Sequence, residues 1–216
     1  FHPENDNPAS WGGVQRCIDR YGLDLSEKTQ NRLYVRVSGR AQTGNIYIDL
    51  GERIDEDTYW LERVGTELVR RANGQLDTED LVNDGILSNS EDTGLDTLPD
   101  VNEPGYSSST NPDPNQDVYY YNQSDPLATR YDRINGPEVN GRLDTEDLNR
   151  NGNLDSLNTF YRIRIPIDDP DYVVSGPNQH GWMLIEIPLS DTSLVSVPGF
   201  VSGTPTWEKV SYARIW

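Results

Sequence analysis

An acidic nine-residue segment occurs twice in this chain, and any fold it adopts must find a place for that charge. Asn73-Gly74-Gln75-Leu76-Asp77-Thr78-Glu79-Asp80-Leu81 returns as Asn140-Gly141-Arg142-Leu143-Asp144-Thr145-Glu146-Asp147-Leu148, identical at eight of nine positions and offset by 67 residues. Each copy runs on into a further turn, Asn83-Asp84-Gly85 in the first and Asn149-Arg150-Asn151-Gly152 in the second. Residues 73–155 hold 18 Asp and Glu against 4 Lys and Arg, a net of −14 out of −18 for the whole chain of 216 residues. Such a block repels itself unless cations neutralise it or it stays disordered. Closely spaced carboxylates and amides, a glycine at the sharp bend and a leucine two residues later are the parts of an oxygen-lined calcium loop.

The twelve-residue calcium loop draws ligands from positions 1, 3, 5, 7, 9 and 12, with glycine at 6. In the second copy Asp147 falls at position 1, Asn149 at 3, Asn151 at 5, Gly152 at 6, the Asn153 carbonyl at 7, Asp155 at 9 and Asn158 at 12. Asn158 stands where a bidentate Glu is expected, and two neutral amides lower the charge, so binding there calls for another carboxylate to reach in. In the first copy Asp80 falls at position 1, Asp84 at 5, Gly85 at 6, the Ile86 carbonyl at 7, Ser88 at 9 and Glu91 at 12, while Val82 at 3 is no ligand. Upstream half-loops beginning at Asn73 and Asn140 bring in Asp77 and Asp144, and would let Asp80 and Asp147 each serve two ions. Two calcium ions are expected. The alternative is a surface loop rich in Asx turns that holds no metal. For a third acidic run, Glu91 to Asn102, a solvated turn and a metal site are equally open.

Charge and cysteine content narrow the remaining chemistry. A net charge of −18 argues against nucleic acid, which is bound through Lys and Arg. One cysteine, Cys17, allows no internal disulfide, and with only His2 and His180 as imidazoles no zinc site is expected. No window approaches the roughly 20 apolar residues of a spanning helix. The chain begins Phe1-His2-Pro3 without a signal-peptide pattern, as expected for a piece of a longer or processed protein. No nucleophile elbow or phosphate-cradling glycine loop is present, and the obvious carboxylate pairs all belong to the calcium pattern, so no enzyme activity is expected.

The flanks of the acidic block alternate in the manner of strands. Leu33, Val35 and Val37 share one face, as do Ile46, Ile48 and Leu50, then Tyr161, Ile163, Ile165 and Ile167, then Met183, Ile185, Ile187 and Leu189, and finally Val210, Tyr212, Arg214 and Trp216. Ile54 to Arg70 fits either a helix or a strand. With 32 Gly and Pro between the runs, the pattern predicts an antiparallel β-sandwich. Residues 1–72 and 159–216 supply its two halves, and residues 73–158 form a long insert. Trp182 and Trp207 are expected in the core rather than on a sugar-stacking surface, and Tyr119-Tyr120-Tyr121 is the better candidate for exposed contact.

Several of these segments together resemble a known family. Ile46-Tyr47-Ile48-Asp49-Leu50-Gly51-Glu52-Arg53-Ile54-Asp55-Glu56-Asp57, the two Asn-Gly-x-Leu-Asp-Thr-Glu-Asp repeats, Glu91-Asp92-Thr93-Gly94-Leu95-Asp96 and Tyr161-Arg162-Ile163-Arg164-Ile165-Pro166-Ile167 followed by a Trp-led strand are similar, in that order, to the gliding-motility and type IX secretion outer-membrane translocon family. Trp11-Gly12-Gly13-Val14 and Asp24-Leu25-Ser26 also resemble that family and, more broadly, galactose-binding-like jelly rolls, which implies that the all-β sandwich is jelly-roll-like. The resemblance implies an extracytoplasmic segment of a very large outer-membrane barrel protein, whose partners are other segments of that protein or its cargo. The expected function is a non-enzymatic, calcium-stabilised module of a bacterial surface or secretion protein. The alternatives are a calcium-dependent carbohydrate-binding module and, in a third class, a carboxylate-dependent sugar hydrolase.

Overall fold

The computed structural model describes residues 13–36, 45–57, 61–64, 67–70, 72–112, 114, 141–167, 170–176, 178–179 and 181–216. Trp11, Trp60, His2, His180, Tyr119 to Tyr121 and Asn140 lie outside them. Among the described residues ten strands run β1 (Val14–Cys17), β2 (Gln30–Arg36), β3 (Asn45–Arg53), β4 (Leu61–Val64), β5 (Glu67–Arg70), β6 (Thr159–Pro166), β7 (Val173–Ser175), β8 (Trp182–Pro188), β9 (Val195–Ser196) and β10 (Tyr212–Ile215). Helical structure among the described residues is limited to two short 3-10 turns, Asp100–Asn102 and Pro170–Tyr172. The fold is all-β and antiparallel.

The chain divides into two compact units, one formed by Pro3–Ile54 with Leu157–Trp216 and the other by Asp55–Ser156 with the first two residues. In the first unit a five-stranded sheet runs β1-β10-β3-β6-β9 and a three-stranded sheet runs β2-β8-β7. The alternating branched residues explain both sheets. Ile48 and Leu50 of β3, Ile163 and Ile165 of β6, and Ile185 and Ile187 of β8 meet in one core, with Leu33 and Val35 of β2 packed against it. Two sheets sharing one apolar core form a sandwich-like arrangement. Trp207 also packs on this core and stacks on Tyr161, with ring centroids 4.2 Å apart.

Trp182 departs from the sequence expectation. It pairs with Arg36 across β2 and β8, one residue off the Met183–Ile185–Ile187 core face, and is 43% exposed. A period of two sends it outward. The strand expected from Trp207 to Trp216 is regular only over β10, with an isolated bridge between Leu23 and Val210 upstream of it. The edges β1 and β9 and the short β7 carry too little alternation to be seen in the sequence.

The outer face of the five-stranded sheet carries a buried charge. Asp49, fully buried on β3, accepts bonds from Arg162 Nε (2.7 Å) and Nη2 (2.9 Å) on β6, from Arg214 Nε (3.0 Å) and Nη2 (2.8 Å) on β10, and from Trp216 Nε1 (3.1 Å). Tyr47 stacks on Trp216 at 4.5 Å, and the Arg162 guanidinium lies over the Trp216 ring at 4.7 Å and the Phe200 ring at 5.2 Å. Beside this cluster a Cβ on Gly51 would collide with the Thr159 carbonyl and the Phe160 backbone, so only glycine lets β3 and β6 approach there. The ladder shifts register at the same point, between Gly51 and Arg53.

The second unit is inserted between β3 and β6. Residues 61–64 and 67–70, in a stretch ambiguous in the sequence, pair antiparallel as β4 and β5 and belong to this unit. Its remaining described backbone is almost entirely turns, so side chains must supply what a sheet ladder supplies elsewhere.

Candidate metal centre

Among the described residues of the second unit, the buried large side chains are mostly acids. Glu56, Glu79, Glu91, Glu103, Glu146 and Asp147 are between 1% and 7% exposed, with Leu95 and Pro114 as buried apolar residues of the same unit. Glu and Asp are rarely so buried without compensation. The unit has 23 Asp and Glu against 7 Lys and Arg, a net of −16, which leaves −2 for the sandwich. Arginine cannot balance it.

Both repeats fold into the same loop. In the first, Asp80 accepts the N–H groups of Asp84 (3.0 Å) and Gly85 (2.8 Å). In the second, Asp147 accepts those of Asn151 (2.9 Å) and Gly152 (2.7 Å). The bend is left-handed at matching positions, with φ of 56° at Asn83 and 57° at Arg150, then 73° at Gly85 and 76° at Gly152. A positive φ is costly for Arg150, and the two amide bonds to the position-1 carboxylate hold it there. Within the first loop Asp84 accepts from the Ile86 N–H at 2.8 Å, while the Ile86 side chain is exposed. Within the second, the Asn149 and Asn151 amides donate to one Asp155 oxygen at 2.6 and 3.0 Å, and Asn153 donates its N–H to Asn151 Oδ1 at 2.7 Å. Turning an amide over would present its oxygen inward.

The missing position-12 carboxylate of the second loop has a counterpart from outside the repeat. In the first loop Glu91 accepts from the N–H groups of Val82 and Ser88, both at 3.2 Å, and from the Ser88 hydroxyl at 2.6 Å. That hydroxyl holds the Glu91 carboxyl below the usual carboxylate range. In the second loop Glu56 accepts from Leu148 at 3.1 Å and from Asp155 at 3.4 Å, and its own N–H donates to the Asp155 carbonyl at 2.8 Å. Ser88 and Asp155 are equivalent positions, so Glu56 holds the second loop as Glu91 holds the first.

Asp77 and Asp144 lie where the two repeats meet. Thr78 and Thr145 form an isolated antiparallel bridge, with Glu79 N–H donating to the Asp144 carbonyl at 3.1 Å and Glu146 N–H to the Asp77 carbonyl at 3.0 Å. The acids repeat the exchange: the Asp144 N–H donates to Glu79 Oε1 at 2.7 Å and the Asp77 N–H to Glu146 Oε2 at 3.2 Å. The other Glu79 oxygen accepts from Gly94 at 3.2 Å, so the third acidic run is packed against the first repeat. Burial, and then the neighbouring Asp57 and Asp96 carboxylates, push the Asp77 carboxyl up. Burial likewise pushes Glu79 up, against the pull of its amide bonds.

All these donors are hard oxygens, the chemistry that suits calcium and not zinc. Among the described residues no three His, Cys, Asp or Glu side chains converge as a ready cage, because Asp80, Asp147, Glu56 and Glu91 are turned onto backbone amides. A cation here would draw also on amide and carbonyl oxygens. Among the buried acids that the twelve-residue template overlooks are Glu56, Glu79 and Glu146. The last two stand identical in both copies, one residue ahead of the template's first position, and that was the available signal. The chain matches no protein-family model, and no curated protein matches it in sequence.

Proposed function

We propose that this chain is a non-enzymatic, calcium-ordered extracytoplasmic module of a bacterial cell-surface or secretion protein, of the kind found in type IX translocons. Its sandwich is jelly-roll-like, and two calcium ions fill the loops Asp80–Glu91 and Asp147–Asn158. The observation that carries the reading is the acidic interior. A unit of charge −16 that buries six acids needs cations to cancel their repulsion. Asp80, Asp84, the Ile86 carbonyl and Glu91 are the ligands of the first loop. Asp147, Asn149, Asn151, the Asn153 carbonyl and Asp155 serve the second, with Glu56 supplying the carboxylate that Asn158 lacks. Asp77 and Asp144 close the upstream half-loops. The ions are structural, and the partners are other segments of the parent protein or its cargo. Calorimetric calcium titration of Asp80→Ala and Asp147→Ala tests this, each variant losing one of the parent's sites. Isotherms that overlay the parent's would overturn the assignment.

A second reading has one observation in its favour. Tyr34 and Trp182, 69% and 43% exposed, lie on the outer face of the three-stranded sheet beside the ion pair of Arg32 and Glu186 at 2.7 Å. Exposed aromatic rings next to fixed polar groups suit a sugar ring, so this face supports a calcium-dependent carbohydrate-binding module. Glycan-array binding lost in Trp182→Ala would favour it, and a blank array would leave the surface-module reading alone.

A further inference from the structure

We propose, building on the carbohydrate reading of this face, that the outer side of the three-stranded sheet binds an acidic glycan whose rings carry carboxylates, as in a uronate oligomer. The ladder of β2 and β8 sets Arg36 opposite Trp182, Tyr34 opposite Leu184 and Arg32 opposite Glu186. These six alternate with Leu33, Val35, Ile185 and Ile187 of the core, so they share the outward side of the sheet. Tyr34 and Trp182 are diagonal neighbours on it, about 7–8 Å apart. Along β2 an arginine stands two residues from Tyr34 in each direction.

Trp182 is held in place before any ligand arrives. Its N–H donates to Asn178 Oδ1 at 3.1 Å and its carbonyl accepts the Asn178 N–H at 2.9 Å. A Cβ on Gly176, where φ is 111°, would come within 2.6 Å of that same carbonyl oxygen, so the turn leaving β7 closes tightly on the start of β8. A fixed aromatic anchor loses little freedom on binding. Arg32 is fixed as well: Glu186 takes its Nε at 2.7 Å, yet its side chain remains 65% exposed. Arg36 is exposed, and among the described residues no acid forms an ion pair with it.

The kind of grip available selects the ligand. β8 is the central strand of its sheet, so its backbone N–H and C=O groups are taken up by β2 and β7. A ligand lying over it is held by ring faces and guanidinium forks, which suits a sugar better than a peptide that seeks backbone partners. The one acid among the six, Glu186, is already engaged by Arg32. What remains is donors in a planar fork, the match for a carboxylate rather than for a neutral hydroxyl. Two arginines suit one or two carboxylates and not a run of phosphates. The negative excess of the chain lies elsewhere, since the sandwich carries only −2 of the −18.

The test is calorimetric titration of the full chain, with calcium present, using trigalacturonate and its fully methyl-esterified form, which keeps the rings and loses the charges. The parent should bind the acid about tenfold or more tightly than the ester, the size of a hydrogen bond to a charged group. Arg36→Gln should weaken binding of the acid and leave that of the ester as in the parent. Trp182→Ala should abolish binding of both. Thermal unfolding that matches the parent's checks that each variant is folded. Equal affinity for acid and ester overturns the acidic class and leaves the carbohydrate reading standing. Acid binding unchanged in both variants overturns the site, and polyglutamate binding as tightly as trigalacturonate overturns the sugar. Failure of both oligomers to bind also overturns the proposal, while the glycan array decides the wider carbohydrate reading separately.

Discussion

The two units bury carboxylates in opposite ways. In the sandwich Asp49 sits between two arginines and an indole, and both its oxygens are taken by charged or ring N–H donors. In the inserted unit six acids are buried, and the donors described for Glu56, Glu79, Glu91, Glu146 and Asp147 are mostly backbone amides. A buried ion pair carries its own neutrality, whereas a buried set of acids takes it from a cation or from protons. The difference appears in titration. In the sandwich a Lys209 bond holds Glu52 below the usual carboxylate range, and serine bonds do the same for Asp24 and Asp191. In the inserted unit a serine bond lowers Glu91 in the same way, but burial raises Asp77 and Glu79, and no raised carboxyl is found among the described groups of the sandwich.

Breaking the self-neutral region should have the largest effect. Asp49→Ala leaves two guanidinium groups facing each other without their shared partner and should cost about 3–5 kcal/mol of sandwich stability. Chemical denaturation of the variant checks the size. Where the sandwich remains folded, its calcium isotherm should overlay the parent's, which separates the two regions.

Glu56→Gln sharpens the other side of the comparison. It keeps the size of the side chain and removes the charge that the second loop borrows. Calcium affinity of the second loop should fall about tenfold or more. An unchanged affinity would return the position-12 role to Asn158.

The smallest effect expected is one of pH, and its sign differs between the raised and the depressed carboxyls. The folded pKa values of Asp77 and Glu79 are raised by burial, with Asp57 and Asp96 facing the first and Asp92 the second. The folded state then binds more protons than the unfolded chain, so stability is lost as pH rises through those values. Metal-free protein should therefore unfold at a higher temperature at pH 5 than at pH 7 in its acidic unit. Depressed groups, Glu52 in the sandwich and Glu91 in the acidic unit, act the other way, losing their contribution as pH falls through the folded value. Calorimetric scans of EDTA-treated protein at the two pH values show whether the acidic unit has this inverted response. With calcium saturating the loops, protons compete with the metal and the inversion should disappear.

The long strands were legible in the sequence because alternation over Ile46–Ile48–Leu50 or Ile163–Ile165 places every second side chain in one core. Short edges such as β9 were not, since two residues carry no period. Trp182 shows the limit of residue type as a guide, because its parity along β8 and not its hydrophobicity decided its side of the sheet. In the acidic unit the repeat pointed to Asp80, Asp147 and their glycines, whose geometry depends on neighbours a few residues away. Glu56 stands 92 residues from the Leu148 amide it holds, and nothing local announces it. Glu79 and Glu146 were visible as repeated letters, but the crossing of their bonds exists only once the two copies meet.

The most direct test of a calcium-ordered acidic unit is thermal unfolding of EDTA-stripped protein across a calcium series, with magnesium as the control. The unit's transition should climb with calcium concentration, each site adding about 2.7 kcal/mol at a hundred times its dissociation constant, while magnesium shifts it far less. A transition that stays in place at millimolar calcium would contradict the account, and leave the buried acids balanced by something other than the cation their loops resemble.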